Sequence, residues 1–145
     1  MRSAIVILDL DQFGSKMKEM GWSEYKPNVI TGSLSDLVTS LLSSHHGTHI
    51  RGLDYQRGTE EAVLFFSAPN SQQLLKSLEQ LIVHIEKLGH DLRQSITLSI
   101  GVSFGPVPPI RLHENSDLKQ VFLYKSAKKA LRTAKKQGGN QMVVY

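Results

Sequence analysis

Ser3-Ala4-Ile5-Val6-Ile7-Leu8-Asp9-Leu10-Asp11 is the stretch on which the fold turns. Ala4 to Leu8 is apolar, short and β-branched, and reads as a buried strand. Two acids close it. Residues i and i+2 of a strand project to one face, so Asp9 and Asp11 point the same way. Two such carboxylates repel each other unless a cation lies between them. Mg²⁺ takes oxygen ligands of this kind and keeps waters to exchange for substrate phosphates. The plain alternative is a pair of acids that only ends a strand and caps a turn.

Outward from this strand, Asp11 to Lys26 is polar and irregular, and Pro27 suits a helix start. Ile30, Leu34, Leu37, Val38, Leu41 and Leu42 then recur at helical spacing until Gly47. Thr48 to Gln56 and Glu61 to Ser67 read as strands joined through Arg57-Gly58-Thr59-Glu60, a hairpin signal. Asn70 caps the next helix with Gln73 as its capping-box partner. Leu74, Leu78, Leu81, Ile85 and Leu88 line that helix, and Gly89 ends it. From Ser95 to Phe104, Ile96, Leu98, Ile100, Val102 and Phe104 alternate with Thr97, Ser99, Gly101 and Ser103, the period of a half-buried strand. Gly105 to Pro109 is a loop. Asp117 to Gln137 reads as a helix stopped by Gly138-Gly139, and Gln141 to Tyr145 as a last strand.

The resulting order is β-α-β-β-α-β-α-β. It is an α/β (α+β) fold with a ferredoxin-like palm core and a mixed central β-sheet, in which helices are expected to cover one face. All 145 residues fit one domain, 1–145. No apolar run approaches the ~20 residues of a membrane span, and no signal-peptide pattern opens the chain, so a cytoplasmic location with no membrane partner is expected. The absence of cysteine excludes a disulfide framework, a thiolate zinc site and a cysteine nucleophile.

The formal charge of +4 points to an anionic partner. Its densest source is the last helix, where Lys119, Lys125, Lys128, Lys129, Arg132, Lys135 and Lys136 face one acid, Asp117. Helical periodicity spreads these bases over more than one face, so several serve only solvation. Lys135 and Arg132 are the candidates to reach a triphosphate. Nucleic acid is the weaker choice of partner for this helix. His45, His46 and His49 cluster around Gly47, but adjacent histidines at a helix end do not converge on one metal. Trp22 and Tyr25 are expected to pack their loop onto the core rather than stack a base.

Four blocks resemble the GGDEF domains. Ile7-Leu8-Asp9-Leu10-Asp11-Gln12-Phe13 is similar to their DxDxF opening, and Gly58-Thr59-Glu60-Glu61-Ala62-Val63-Leu64 to their GGEEF hairpin. Thr97-Leu98-Ser99-Ile100-Gly101-Val102 is similar to their T-x-SIGVA strand. Ala134-Lys135 with Gly138-Gly139-Asn140 is similar to the end of their last helix. The blocks keep the family's order across almost the whole chain. The resemblance implies a nucleotidyl cyclase or transferase that uses Mg²⁺ or Mn²⁺ and a nucleoside triphosphate, with a cyclic dinucleotide as product or ligand. It implies metal ligands at Asp9, the Leu10 carbonyl, Asp11 and Glu60, and catalytic acids at Glu60 and Glu61. Phe13, Gly14, Gly58, Thr59, Lys135 and Arg132 would surround the nucleotide. Two copies would meet head to head in a homodimer.

The family's guanine-reading residues fall near Met17 and Lys26. Met offers no hydrogen bond and Lys only donates, so an altered base specificity is expected. Thr59 replaces the second signature glycine, Ala62 the signature phenylalanine, Gly14 the lysine of the opening motif, and Gly139 the arginine of the GRN tail. Arg51-Gly52-Leu53-Asp54 is similar to the RxxD inhibitory product site, with Arg51 and Asp54 as its contacts. The alternative to catalysis is a degenerate domain that binds nucleotide or a partner protein as a regulator.

Overall fold

The computed structural model describes residues 2–11, 18, 21, 29–52, 61–93, 96–106 and 121–145. Its elements are β1 (Ser3–Leu10), α1 (Val29–His45), β2 (Gly47–Gly52), β3 (Glu61–Phe66), α2 (Ser71–Asp91), β4 (Leu98–Gly105), α3 (Phe122–Lys136) and β5 (Met142–Val144). The strands form one five-stranded sheet in the order β2-β3-β1-β4-β5. β1 runs antiparallel to both β3 and β4, and β2 pairs antiparallel with β3. β5 adds parallel to β4, which makes the sheet mixed. The first four strands have the arrangement of a ferredoxin-like core, as the element order predicts.

β1 lies at the centre, and Ala4, Ile5, Val6, Ile7 and Leu8 are fully buried. The residues on its two faces belong to two separate cores. Ala4, Val6, Leu8 and Leu10 pack with α1 and α2 through Ile30, Leu34, Leu74, Leu78 and Ile85. Ile5 and Ile7 pack with Val63 beneath α3, against Leu123, Tyr124, Ala127 and Leu131. Helices therefore cover both faces of the sheet, not one as the sequence led us to expect. The third helix supplies the second layer, which turns β4 from a half-buried strand into one with Ser99 and Ser103 also buried.

The polar side of β4 is small where α3 crosses it. A Cβ at Gly101 would stand 2.2 Å from the Ala127 carbonyl oxygen and 2.4 Å from the Leu131 nitrogen. Only glycine lets the helix backbone come this close.

The caps set the helix ends. Asn70 Oδ1 accepts from the Gln73 backbone N–H at 3.1 Å, as the capping reading anticipates. α2 continues past Gly89 to Asp91. At the end of α3, Gly138 N–H donates to the Lys135 carbonyl at 3.2 Å and Gly139 N–H to the Ala134 carbonyl at 2.9 Å. This pair is a Schellman motif, and Gly138 supplies its left-handed residue with φ 109°. β3 ends at Phe66, one residue before the sequence pattern does, and Leu53 to Glu60, with the end of the first hairpin strand and the tip, lies outside the described residues. So does the stretch 117–120 that the sequence assigns to the last helix.

Candidate functional site

The site lies at the end of the central strands, on the α3 side of the sheet. Asp9 follows Ile5 and Ile7 on that face, and the ladder places it directly opposite Glu61 at the start of β3. Opposite residues of an antiparallel pair share a face, so the two carboxylates project together. α3 meets them with Lys128 and Lys135. These lie seven residues apart, two turns along one side of the helix.

Each acid has a cation. Lys128 Nζ donates to Glu61 Oε2 at 2.6 Å. Lys135 Nζ lies 3.1 Å from Asp9 Oδ2 and 3.1 Å from Asp11 Oδ1, and 3.4 Å from the Leu10 carbonyl oxygen. The ammonium thus touches Asp9, Leu10 and Asp11, three of the oxygen donors that the sequence assigns to a metal.

Arg51 completes the cluster from β2. The β2–β3 register shifts between His49 and Arg51, so that Arg51 pairs with Val63 instead of Ala62. This bulge moves Arg51 to the α3 face of the sheet. Its guanidinium donates to the Tyr124 hydroxyl at 2.5 Å and lies 3.5 Å from Glu61 Oε1. It also sits 5.4 Å from the centre of the Tyr124 ring. Three carboxylates, Asp9, Asp11 and Glu61, are matched by three bases, Arg51, Lys128 and Lys135.

Asp9 and Asp11 differ in how their oxygens are used. Asp11 Oδ2 accepts from Thr97 Oγ1 at 2.6 Å and from the Asn140 backbone N–H at 2.9 Å. Its Oδ1 accepts from Ser99 Oγ at 2.7 Å and from Lys135 at 3.1 Å. Burial works against the Asp11 charge, but the bonds from Thr97, Ser99, Asn140 and Lys135 outweigh it and hold the carboxyl below the ordinary aspartate value. Asp11 thus ties the end of β1 to β4 and to the turn after α3. Gly139 makes room for it, since a Cβ there would stand 2.7 Å from Asp11 Oδ2.

Asp9 Oδ1, by contrast, is buried with no hydrogen-bond partner. Burial raises the Asp9 carboxyl above the ordinary value, more than Lys135 lowers it, and Glu61 adds a like charge. Burial alone would lower Lys135, but Asp9 and Asp11 together raise it, and the lysine holds its proton. An orphaned anionic oxygen beside a second carboxylate fits a cation ligand.

Among the described residues no group of three or more acids or histidines is arranged to hold a metal. The third acid that the sequence names, Glu60, lies outside the described residues, as do Phe13, Gly14, Met17, Lys26, Asp54, Gly58 and Thr59. Arg51 of the Arg51–Asp54 pair is bound to Tyr124 and Glu61. Arg132 is exposed and is not brought into the acidic cluster. Lys128, Tyr124 and the Asn140 amide were not singled out from the sequence. Lys128 was legible in principle, because it alone of the other bases shares the flank of Lys135.

No protein-family model matches the chain, and no curated protein matches it. Solved structures do. The active GGEEF domain of a diguanylate cyclase from Vibrio cholerae superposes with a TM-score of 0.65 at 19% identity, over 100% of this chain and 83% of that one. The coiled-coil and GGDEF protein DgcB from Caulobacter crescentus, in complex with c-di-GMP, gives 0.68 at 16% identity, over 99% and 70%. A bacterial light-regulated adenylyl cyclase gives 0.66 at 15% identity, over 97% and 73%. The chain has the α+β fold of the GGDEF diguanylate cyclase domains, which it shares with adenylyl cyclase.

Proposed function

We propose that this chain is a divergent nucleotidyl cyclase or transferase that uses Mg²⁺ or Mn²⁺ and a nucleoside triphosphate to make a cyclic nucleotide, cyclic dinucleotide or related product. The observation that carries this reading is the orphaned Asp9 Oδ1, buried beside Glu61 at the end of the central strands of a cyclase fold. Asp9, the Leu10 carbonyl and Glu60 would hold the divalent ion. When bound, such an ion polarises the α-phosphate and lowers the pKa of the attacking hydroxyl.

The chain's own residues supply the rest. Asp11, with four donors around it, fixes the end of β1 and so aims Asp9. Lys135 neutralises Asp9 and Asp11 until phosphates arrive, then turns from carboxylate to phosphate oxygen. Lys128, steadied by Glu61, does the same one turn-pair earlier on α3. The exchange suits the charges. A nucleoside triphosphate would bring anionic oxygens for Lys128 and Lys135, which would leave the carboxylates free to hold a divalent ion. Met17 and Lys26 replace guanine contacts, so the base read is not expected to be guanine.

The protein incubated with each of the four triphosphates and Mg²⁺ or Mn²⁺ is expected to release pyrophosphate with at least one, and Asp9→Ala to abolish the release. Release with none of the four would overturn catalysis.

A second reading, a non-catalytic regulator that binds nucleotide or a partner protein, is favoured by one observation. The charges of the three acids are already matched by three bases, so the cluster is balanced in charge without a metal ion. Calorimetry that finds nucleotide binding without turnover would select it. A homodimer, with one substrate on each copy, goes with the first reading. No described helix is long and apolar enough to cross a membrane.

A further inference from the structure

The six bases of α3 divide cleanly in the structure. Lys128 and Lys135 turn to the acidic cluster. Lys125, Lys129, Arg132 and Lys136 are all exposed, and at 100° per residue they fall within an arc of about 60°. The buried side of α3, formed by Leu123, Ala127, Ala130, Leu131 and Ala134, is diametrically opposite. The four cations make a row about 17 Å long at 1.5 Å per residue. α3 contains no acidic residue. Among the described residues no carboxylate lies within 4 Å of any of the four.

Two aromatic residues border the row. Phe122, at the helix start, is 78% exposed, an unusual position for a phenylalanine in a folded domain. Tyr145 is 47% exposed. It is fixed against the helix, its hydroxyl 2.9 Å from Thr133 Oγ1 and its ring 5.8 Å from Lys129 Nζ.

We propose that this outward face of α3 binds single-stranded nucleic acid, separately from the nucleotide site beneath the helix. The cations would track the phosphates, and Phe122 and Tyr145 would offer faces on which bases stack. The charge selects a polyanion. A membrane surface is the poorer fit, because helices that lie on membranes sink an apolar face into the lipid. Here the apolar face is already consumed by the sheet, and the exposed face carries charge along its length. A row this short spans only a few nucleotides, so modest affinity with strong salt dependence is expected.

Fluorescence anisotropy with a labelled oligothymidylate or oligouridylate, titrated at several NaCl concentrations, tests the surface. Four phosphate contacts to a single strand give a slope of log K against log salt of about −2.8. Replacing Lys125, Lys129, Arg132 and Lys136 together by Gln should reduce binding at least about tenfold and flatten the slope. Replacing the three lysines by Arg should retain both. Phe122→Ala and Tyr145→Ala should each weaken binding about fivefold or more while leaving the slope unchanged. All six side chains are at least partly exposed, so a thermal melt should show the variants folded. Equal binding by the Gln variant and the parent, or a flat salt response, overturns the proposal. So does binding to phosphatidylserine vesicles with none to the oligonucleotide.

Discussion

Asp9 and Lys135 form an ion pair of 3.1 Å in which only one oxygen of the carboxylate takes part. The other oxygen, Oδ1, is buried with no partner. Two residues further on, Asp11 has both oxygens fully engaged. The same residue type on the same face thus has two environments. One fastens the fold, and the other keeps one oxygen unpaired.

Asp11→Asn should destabilise the protein by about 3 kcal/mol, because charge-assisted bonds from four donors are weakened or lost. Its pH dependence follows from the lowered carboxyl. A group whose folded pKa is depressed stabilises the fold above its unfolded value, near 3.8, and that contribution fades as pH falls through the folded value. Urea melts at neutral pH and below pH 4 should show the variant's deficit shrinking with acid.

Asp9→Asn should do the opposite. Burial raises this carboxyl, so the folded state binds the proton more tightly than the unfolded one. Stability therefore falls as pH rises from about 3.8 through the folded pKa, and above it the ionised group is a standing cost. The variant should be more stable than the parent at neutral pH by about 1 kcal/mol, with the gap closing in acid. Thermal melts across pH check the sign.

The contrast between these two acids marks the limit of what the sequence discloses. β1 was legible because its run is apolar throughout, and α2 because its leucines keep helical spacing behind Asn70. The second layer was not. Thr97, Ser99, Gly101 and Ser103 alternate with apolar residues and so suggest a solvent face. Their small size and lack of charge were the sign that something packs on them: α3 covers Gly101 at backbone contact. That Asp9 and Asp11 face one way was legible, and both meet Lys135, but not their division of labour. The partners of Asp11 come from Thr97, Ser99, Lys135 and Asn140, more than eighty residues away. No local pattern announces the β2 bulge that turns Arg51 toward Glu61.

Gly139→Ala should cost at least about 2 kcal/mol. Its φ of 74° is unfavourable for any residue with a Cβ, and that Cβ would stand 2.7 Å from Asp11 Oδ2. Denaturant unfolding measures the loss. In combination with Asp11→Asn the two effects should be less than additive, since both act on one contact.

Lys135→Met should separate the two tasks assigned to this lysine. Removing the competing ammonium from Asp9 and Asp11 should tighten Mn²⁺ binding about tenfold. Losing a phosphate donor should weaken triphosphate binding by a similar factor. Equal Mn²⁺ affinity in variant and parent would show that the lysine does not share the position of the ion.

The most direct test of the Asp9 site is calorimetric titration of Mn²⁺ into the parent protein and into Asp9→Asn, each with and without a non-hydrolysable triphosphate. The account predicts a saturable site in the parent, tighter when nucleotide is present and absent from Asp9→Asn. Identical heats from the two proteins would contradict it.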